Sequence, residues 1–167
     1  SDRDKAIVYG ITGGIAEYLS IFDENVDLKT NIIRNFLKPN GRLFEEPDNL
    51  LKQELRQPKL YNDILFVISA GASKLNEIAT KLNMQSGGLS HYLNSLLELG
   101  IIEKKTPVLV RKSNRPIYRI KDTMFRFWYC FVQKNVNLLN MDLGELVYEK
   151  QIEPKLNEYM GAVFEQI

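Results

Sequence analysis

The stretch that decides the fold is NEIATKLNMQSGGLSHYLNSLLELGIIEKK, which runs from residue 76 to residue 105. Apolar residues recur at helical spacing on both sides of a polar break in it. Those before the break are Leu75, Ile78, Ala79 and Leu82, and those after it are Leu89, Leu93, Leu96 and Leu97. Ser86 is a favourable N-cap for the second helix, Gly100 ends that helix, and a β-branched run follows. The stretch therefore predicts two helices joined by a short turn, and then a strand.

The residues on either side extend this pattern. Upstream, a helix that ends at Gly71 is indicated by apolar residues at helical spacing, which are Tyr61, Ile64, Leu65 and Ile68. Downstream, residues 101–110 (IIEKKTPVLV) and 115–120 (RPIYRI) are typical of two strands, and the polar turn RKSN joins them. Three helices followed by a two-stranded hairpin is the order of a winged helix-turn-helix domain, which we predict for residues 59–120.

Residues 1–57 are predicted to form a small helical subdomain. Helices are indicated around GGIAEYLSIF, at Leu28–Leu37 and at Pro47–Leu55. The segment Arg56–Tyr61 is a candidate linker, because Pro58 disfavours helical geometry at the residue before it.

Residues 121–167 form the third predicted segment. DTMFRFWYCFVQKN, Asp122–Asn135, is apolar around most of its helical circumference, so it is expected to be buried on several sides. Aromatic rings can also stack on bases, but helical spacing and few interleaved basic residues favour packing here. Leu143–Ile167 is typical of helix with a break near Pro154, and the chain ends inside GAVFEQI, as a fragment boundary would. The predicted fold class is mainly α with a small β-hairpin wing.

Composition excludes several classes of function. Apolar residues make up 44% and charged residues 26%, which is typical of a globular protein, and no apolar run approaches the ~18 residues of a membrane helix. One histidine, His91, rules out most histidine-based metal sites, and one cysteine, Cys130, rules out an internal disulfide. We expect Cys130 to be a buried thiol of a cytoplasmic protein. No metal spacing or catalytic constellation is present, so no catalytic or metal site is predicted.

Charge is distributed unevenly along the chain, whose net charge is +1. Residues 1–58 hold 8 Lys and Arg against 10 Asp and Glu, whereas residues 71–120 hold 8 against 3. The positive charge is therefore concentrated in the predicted winged helix, where a surface that contacts phosphates would need it. A basic but merely solvated surface is the alternative.

The predicted DNA-contacting residues are on the helix from Ser86 and on the wing. The leading end and exposed face of that helix supply Gln85, Ser86, Ser90, His91 and Asn94. The phosphate-contacting cations would be Lys74, Lys104, Lys105, Arg111, Lys112 and Arg115. Gln and Asn can pair with adenine, but the helix carries no Arg or Lys, so direct base reading would be modest. A winged helix can also serve as a protein-interaction or connector module without binding DNA, and this alternative stays open.

Six stretches resemble one known family. They are GITGGIAEYLSIFD, NGRLFEEPDNLLKQEL, YNDILFVISAGASKLNEIATKL, YLNSLLELGIIEKKTPV, YRIKDTMFRFWYCFV and GAVFEQI. In this order they span essentially the whole chain and look like the C-terminal half of the archaeal-type ATPases. These are AAA-related NTPases of archaea and many bacteria, grouped with the STAND class.

The resemblance implies an ATPase core with bound ATP upstream of this region. No Walker A sequence GxxxxGK[ST] is present, so this chain is not expected to be an enzyme or to hold a cofactor by itself. Residues 1–57 resemble the helical lid of that core. Gly13 and Gly14 match the lid motif Gly-Gly-x-Pro that approaches the nucleotide, although Ala16 stands in place of the proline. Tight helix packing would explain the two glycines equally well.

The resemblance also identifies residues 121–167 as the start of a truncated C-terminal domain of unknown function, nuclease-like in fold. Glu165 matches its first acidic position, but a metal-dependent nuclease needs several converging carboxylates. The implied partners are DNA, bound with modest specificity, and the ATPase core and nuclease-like domain of the same protein. We hypothesise that nucleotide state reaches the winged helix through the lid and the linker Arg56–Tyr61.

Overall fold

The computed structural model describes residues 1–106 and 115–165, and within these ranges the chain is mainly helical with a two-stranded antiparallel sheet, as predicted. The N-terminal helices are α1 (Asp2–Thr12), α2 (Ala16–Leu19), α3 (Leu28–Phe36) and α4 (Glu46–Glu54). The middle elements are α5 (Pro58–Ser69), α6 (Leu75–Lys81), α7 (Ser86–Glu98), β1 (Ile102–Lys105) and β2 (Ile117–Ile120). The C-terminal α-helices are α8 (Thr123–Phe127), α9 (Val136–Asn140), α10 (Gly144–Val147) and α11 (Leu156–Phe164). No helix in the described ranges has both the length and the apolar character needed to cross a membrane.

The chain divides into two compact units. Unit 1 combines Ser1–Pro47 with the chain from Phe127 onward, and unit 2 is Asp48–Arg126. The first and last parts of the chain, which the sequence suggested as separate segments, therefore share one unit. The boundaries predicted from the sequence alone stay predictions.

Unit 2 has the element order of a winged helix. The apolar faces of α5, α6 and α7 are buried, with Ile64, Ile78 and Leu93 each 0% exposed. β1 pairs with β2 in antiparallel register, with Ile102 opposite Ile120 and Lys105 opposite Ile117. An isolated β-bridge joins the chain just before α6 to β2 of this sheet.

Two local contacts connect residues 73–74 to β2. The Tyr118 N–H donates to the carbonyl oxygen of Ser73 at 2.7 Å, and Lys74 forms a β-bridge with Ile117. The predicted three helices and hairpin are thereby joined into one unit, although the predicted turn at residues 111–114 lies outside the described residues.

The predicted N-cap of α7 is wrong by one residue. Gln85 occupies the N-cap position, with extended backbone and no side-chain capping bond, and Ser86 is the first helical residue. The reason is the turn before α7: Asn83 adopts a positive φ of 53°, and the Met84 N–H donates to the Ala79 carbonyl at 2.9 Å. This closes the α6–α7 turn early, so the helix begins before the serine hydroxyl can cap it.

The N-terminal helices differ from the prediction in one respect. The sequence indicated one helix around GGIAEYLSIF, whereas α1 ends before these glycines and the short α2 follows them. Further along, Asn31 holds the loop before α3: its side-chain oxygen accepts from the Asp23 N–H at 2.8 Å, and its nitrogen donates to the Asp23 carbonyl at 2.8 Å. Helices near Leu28–Leu37 and Pro47–Leu55 are present as predicted.

The aromatic run after β2 is buried, as predicted. In unit 1, the Phe127 ring packs edge-on against Phe36, with centroids 4.9 Å apart, and also against Phe131 and Tyr159. The Trp128 indole N–H donates to the Phe44 carbonyl oxygen at 2.8 Å. These rings therefore form a core and are not available to stack on bases.

Cys130 departs from its predicted burial. It is only half-buried, because its chain neighbours Tyr129 and Phe131 occupy the buried positions of this turn.

Two segments of unit 1 share an unusual order of helix types. A π-helical turn at Trp128–Val132 is followed by a 3-10 turn at Gln133–Asn135, and the same order recurs at Tyr148–Ile152 and Glu153–Lys155. In the second segment Pro154 has no N–H to donate, so the helical ladder is interrupted there. This is the predicted break, seen here as a change of helix type within a continuous run.

Candidate nucleic-acid interface

The outer face of α7 is where the sequence placed base-reading residues. Leu89, Leu93 and Leu96 are each 0% exposed, so their face of the helix is fixed against the core. The residues exposed on the opposite face are Gly87, His91, Asn94 and Glu98, while Ser90 is half-buried at the edge. The structure thus presents His91 and Asn94 to solvent, and Glu98 makes this face weakly acidic at its C-terminal end.

The leading end of α7 is open. Gln85 is exposed, and its side chain makes no capping bond. A Cβ added at Gly87 or Gly88 would meet no atom within 4 Å, so no packing within the described chain requires a glycine at either position. Each glycine costs about 1 kcal/mol relative to alanine in a helix interior, and less near an end. The pair therefore leaves the backbone of the first turn accessible without helping the fold.

Hydrogen bonding limits which of these side chains can read a base. The Ser90 hydroxyl donates to the Ser86 carbonyl at 3.3 Å, so it is directed along the helix. The His91 ring lies edge-on to Tyr92, with centroids 5.5 Å apart. Gln85 and Asn94 remain as the exposed amides that can pair with adenine.

The predicted cations of the sheet do not all lie on one face. Residues directly opposite each other on neighbouring strands point to the same face, so Lys74 and Lys105, both paired with Ile117, share one face. Lys104 pairs with Tyr118 and points to the other face, where its ammonium lies 5.8 Å from the centroid of the Tyr118 ring. Lys74, Lys104 and Lys105 are called the sheet lysines below.

Carboxylates compensate only part of this charge. Glu103 forms a salt bridge with Arg119, and Lys105 lies 3.8 Å from the same carboxylate oxygen. Lys74 has no ion pair within 4 Å among the residues that the structure describes. The Glu77 carboxylate accepts from the backbone N–H groups of Ser73 and Lys74, each at 3.1 Å. These two bonds, with the nearby Lys74 charge, hold the pKa of Glu77 below its usual value, so this carboxylate stays ionised.

The structure says less about the other predicted cations, Arg111, Lys112 and Arg115. Arg111 and Lys112 lie outside the described residues. Arg115 is exposed where the described chain resumes before β2. Of the predicted phosphate contacts, the sheet lysines are therefore the ones whose neighbours the structure describes.

Two residues of the sheet, Arg119 and Glu103, were not predicted from the sequence. Their pairing follows from strand register, since they face each other across β1 and β2. Opposite charges in the two candidate strands could have indicated the pair, but only with the register known.

The predicted nucleotide-facing glycines have a structural role in unit 1. Gly13 is the C-cap of α1 with φ 64°, and its N–H donates to the Tyr9 carbonyl at 2.8 Å. Gly14 also has a positive φ of 75°, and a Cβ there would come within 2.7 Å of the Tyr9 ring. Helix termination and the close Tyr9 ring are thus a sufficient structural reason for both glycines within unit 1. Nucleotide contact by these residues stays a prediction.

Comparisons with known proteins place the C-terminal part of the chain. Residues 128–167 match DUF234, a family described as archaeal and bacterial proteins of unknown function. This match confirms the predicted domain of unknown function at that end of the chain.

A longer relative is similar along nearly the whole chain. It is an uncharacterized protein of Methanocaldococcus jannaschii, 30% identical over 165 residues, which cover 96% of this chain and 36% of that protein. The chain therefore spans about a third of the length of this curated relative. No solved structure matches the chain. The chain is thus similar to an archaeal protein whose name leaves its activity open, and its residues 128–167 resemble DUF234.

Proposed function

We propose that unit 2 binds double-stranded DNA as a winged helix, mainly through the phosphate backbone. The observation that carries this proposal is the sheet face shared by Lys74 and Lys105, where Lys74 has no carboxylate partner within 4 Å among the described residues. Lys74, which is half-buried, and Lys105, which is exposed, lie on one sheet face next to a helix-turn-helix and suit a polyanion with regularly spaced charges.

The exposed face of α7 supports modest sequence preference. It presents Asn94 and His91 but no arginine or lysine, and arginine paired with guanine is the commonest specific contact in the major groove. Glu98 at its far end disfavours close approach of a phosphate. Affinity in this proposal comes from the cations, and the two amides Gln85 and Asn94 give a preference for adenine.

The proposal extends to a longer parent protein. The resemblance to the archaeal-type ATPases supports an upstream ATPase core with ATP as its cofactor, and the length of the archaeal relative leaves room for one. Nucleotide state in that core would then alter DNA affinity of the winged helix. The nuclease-like character of residues 121–167 belongs to the same proposal.

A protein-interaction role is the rival function, and one observation favours it. Phe66 on α5 is 41% exposed and lines an open apolar depression of about 370 Å³ between α5 and α6. Asp63 and Lys81 add one charge of each sign to its lining. A partner that filled this depression would use unit 2 as a connector and would not need the sheet lysines.

A salt titration separates the two functions. Binding of the 167-residue chain to a fluorescein-labelled duplex of mixed sequence is followed by fluorescence anisotropy between low and moderate salt. Each phosphate neutralised contributes about 0.9 to the slope of log K against log salt concentration. The double variant Lys74→Gln/Lys105→Gln should therefore lower the steepness of the slope by about 1.8.

The control is a variant with the same charge change in unit 1. Lys134→Gln/Lys150→Gln removes two exposed lysines and should leave the slope within error of the original. Absence of binding at the lowest salt concentration would refute DNA binding and favour the rival. Equal slopes for the two variants would show that the sheet lysines are not the contact.

A further inference from the structure

We propose that the α4–α5 junction, Arg56–Lys59, is a second phosphate-contacting element beside α7, positioned by Tyr92. This inference rests on the proposed DNA binding and adds a contact that neither the charge pattern nor the helix-turn-helix stretch assigned. It concerns residues of unit 2 alone.

Tyr92 connects α7 to the start of α5. One residue after His91, it lies about 100° around the helix from it, on the flank of the exposed face. Its ring packs edge-on against Tyr61 with centroids 5.3 Å apart, and its hydroxyl donates to the side-chain oxygen of Gln57 at 3.3 Å. Residues 57–59 are thereby held next to the outer face of α7. This placement depends on the contact between Gln57 and Tyr92, which are 35 positions apart in the chain.

The backbone of Gln57 is in a sparsely populated conformation. Its φ and ψ are 62° and 52°, in the left-handed region that residues other than glycine rarely adopt. Such a conformation persists only where the surroundings determine it, and it is a reason to look for a function there. Here the surroundings are Pro58, which fixes the following φ, and the hydrogen bond from Tyr92.

The charge at this junction is positive and largely uncompensated. Arg56 is exposed, and it has no ion pair within 4 Å among the described residues. The side chain of Lys59 is 94% exposed and has only a long 3.9 Å contact with Asp63. An exposed pair of this kind contributes little, so the lysine can exchange it for a phosphate.

A row of three rings connects the α4–α5 junction to the exposed face of α7. Tyr61, Tyr92 and His91 follow each other edge-on from the core to the solvent-facing side of α7. The Gln57 amide at the Tyr92 hydroxyl keeps its –NH₂ group available as a donor to a phosphate oxygen. A duplex lying on His91 and Asn94 would thus meet one neutral donor and two cations along the flank of the helix.

The test uses the same anisotropy titration with a different charge-matched pair. Arg56→Gln/Lys59→Gln should lower the steepness of the salt slope by about 1.8, since two phosphates are no longer neutralised. The control Lys38→Gln/Arg42→Gln also removes one lysine and one arginine, both exposed in unit 1, and should leave the slope unchanged. All four positions are exposed, and circular dichroism checks that the variants fold.

Tyr92→Phe tests the positioning role separately. It keeps the ring against Tyr61 but loses the hydrogen bond to Gln57, so DNA affinity should fall about three- to tenfold with an unchanged salt slope. A change in slope would contradict a purely positioning role for the hydroxyl.

The outcomes separate this inference from the proposed function. If the chain binds DNA and the sheet-lysine variant loses slope while Arg56→Gln/Lys59→Gln matches its control, the inference is wrong and DNA binding stands. If the chain binds no duplex at low salt, both are wrong. If Arg56→Gln/Lys59→Gln lowers the steepness of the slope and the sheet-lysine variant does not, the inference is supported and the junction is the principal phosphate contact.

Discussion

The open first turn of α7 gives a prediction in which stability and DNA affinity change in opposite directions. The perturbation is the double variant Gly87→Ala/Gly88→Ala. Because an added Cβ at either position meets nothing within 4 Å, the methyl groups introduce no clash within the described chain. Alanine is favoured over glycine by about 0.5–1 kcal/mol in a helix, and less at its end. We therefore expect the double variant to stabilise unit 2 by about 1 kcal/mol.

DNA affinity should decrease in the same variant. If the backbone of this turn lies against the duplex, two methyl groups occupy the space that the sugar-phosphate chain needs. Overpacking of a close contact costs about 1–3 kcal/mol, which corresponds to a loss of affinity of roughly 5- to 150-fold.

The assay pairs two measurements on each protein. Hydrogen exchange of α7 peptides reports the stability of the helix, and anisotropy with a labelled duplex reports affinity. Gly161→Ala is the matched control, because Gly161 is an exposed glycine of α11 in unit 1 whose added Cβ would also meet nothing within 4 Å. It should be stabilised without any change in DNA affinity. A double variant that is more stable and binds DNA as tightly as the original would refute the close approach at α7.

Four other predictions concern stability and coupling. Burial raises the pKa of Asp122, so folded unit 2 keeps this proton to higher pH than the unfolded chain does, and the stability of unit 2 should fall as pH rises from about 4 through the raised pKa. The difference in urea midpoint between the original protein and Asp122→Asn, measured across pH 3.5–7, should show this fall. A difference that does not change with pH would contradict it. Phe127→Ala should destabilise unit 1 by about 3–5 kcal/mol in urea, because the ring is 0% exposed, whereas the half-exposed Phe164→Ala should change little. Gly144→Ala should lower stability by about 1–3 kcal/mol, since its Cβ would lie 2.7 Å from a backbone carbonyl oxygen. Gly10→Ala should lower stability less, because the close atoms that its Cβ would meet are the flexible end of a methionine side chain. Equal shifts of the thermal midpoint in the two variants would contradict this. In a longer protein with the proposed ATPase core, a factor by which ATP changes DNA affinity should equal the factor by which DNA changes ATP affinity, as titrations in both orders can measure.

Much of the fold of unit 2 is local and could be predicted. The leucines of α7 recur every three or four residues, and this spacing alone fixes which face is buried. The alternation in IYRI likewise predicts a strand, and Gly100 a helix end. The boundaries were predicted less exactly: after the turn at Asn83, which has a positive φ, α7 starts at Ser86 itself, one residue earlier than predicted. Turn geometry of this kind depends on contacts across the turn, which a serine at a favourable position does not reveal.

The candidate site was predictable in composition but not in arrangement. The excess of cations in residues 71–120 is visible by counting, and the sheet lysines among them are exposed or half-exposed. Which of them share a face required the register of β2, which pairs Ile117 with both Lys74 and Lys105. The role of Glu103 as the partner of Arg119 required the same register.

By itself the sequence determined the helices, the hairpin and the burial of the aromatic run, because these follow from the periods of 3.6 and 2 residues along a single segment. Only the tertiary structure decided that the first 47 residues form one unit with the chain from Phe127, and that Gln57 lies against Tyr92. The physical reason is that such contacts join residues far apart in the chain. They depend on which buried faces fit together, and no local spacing encodes that choice.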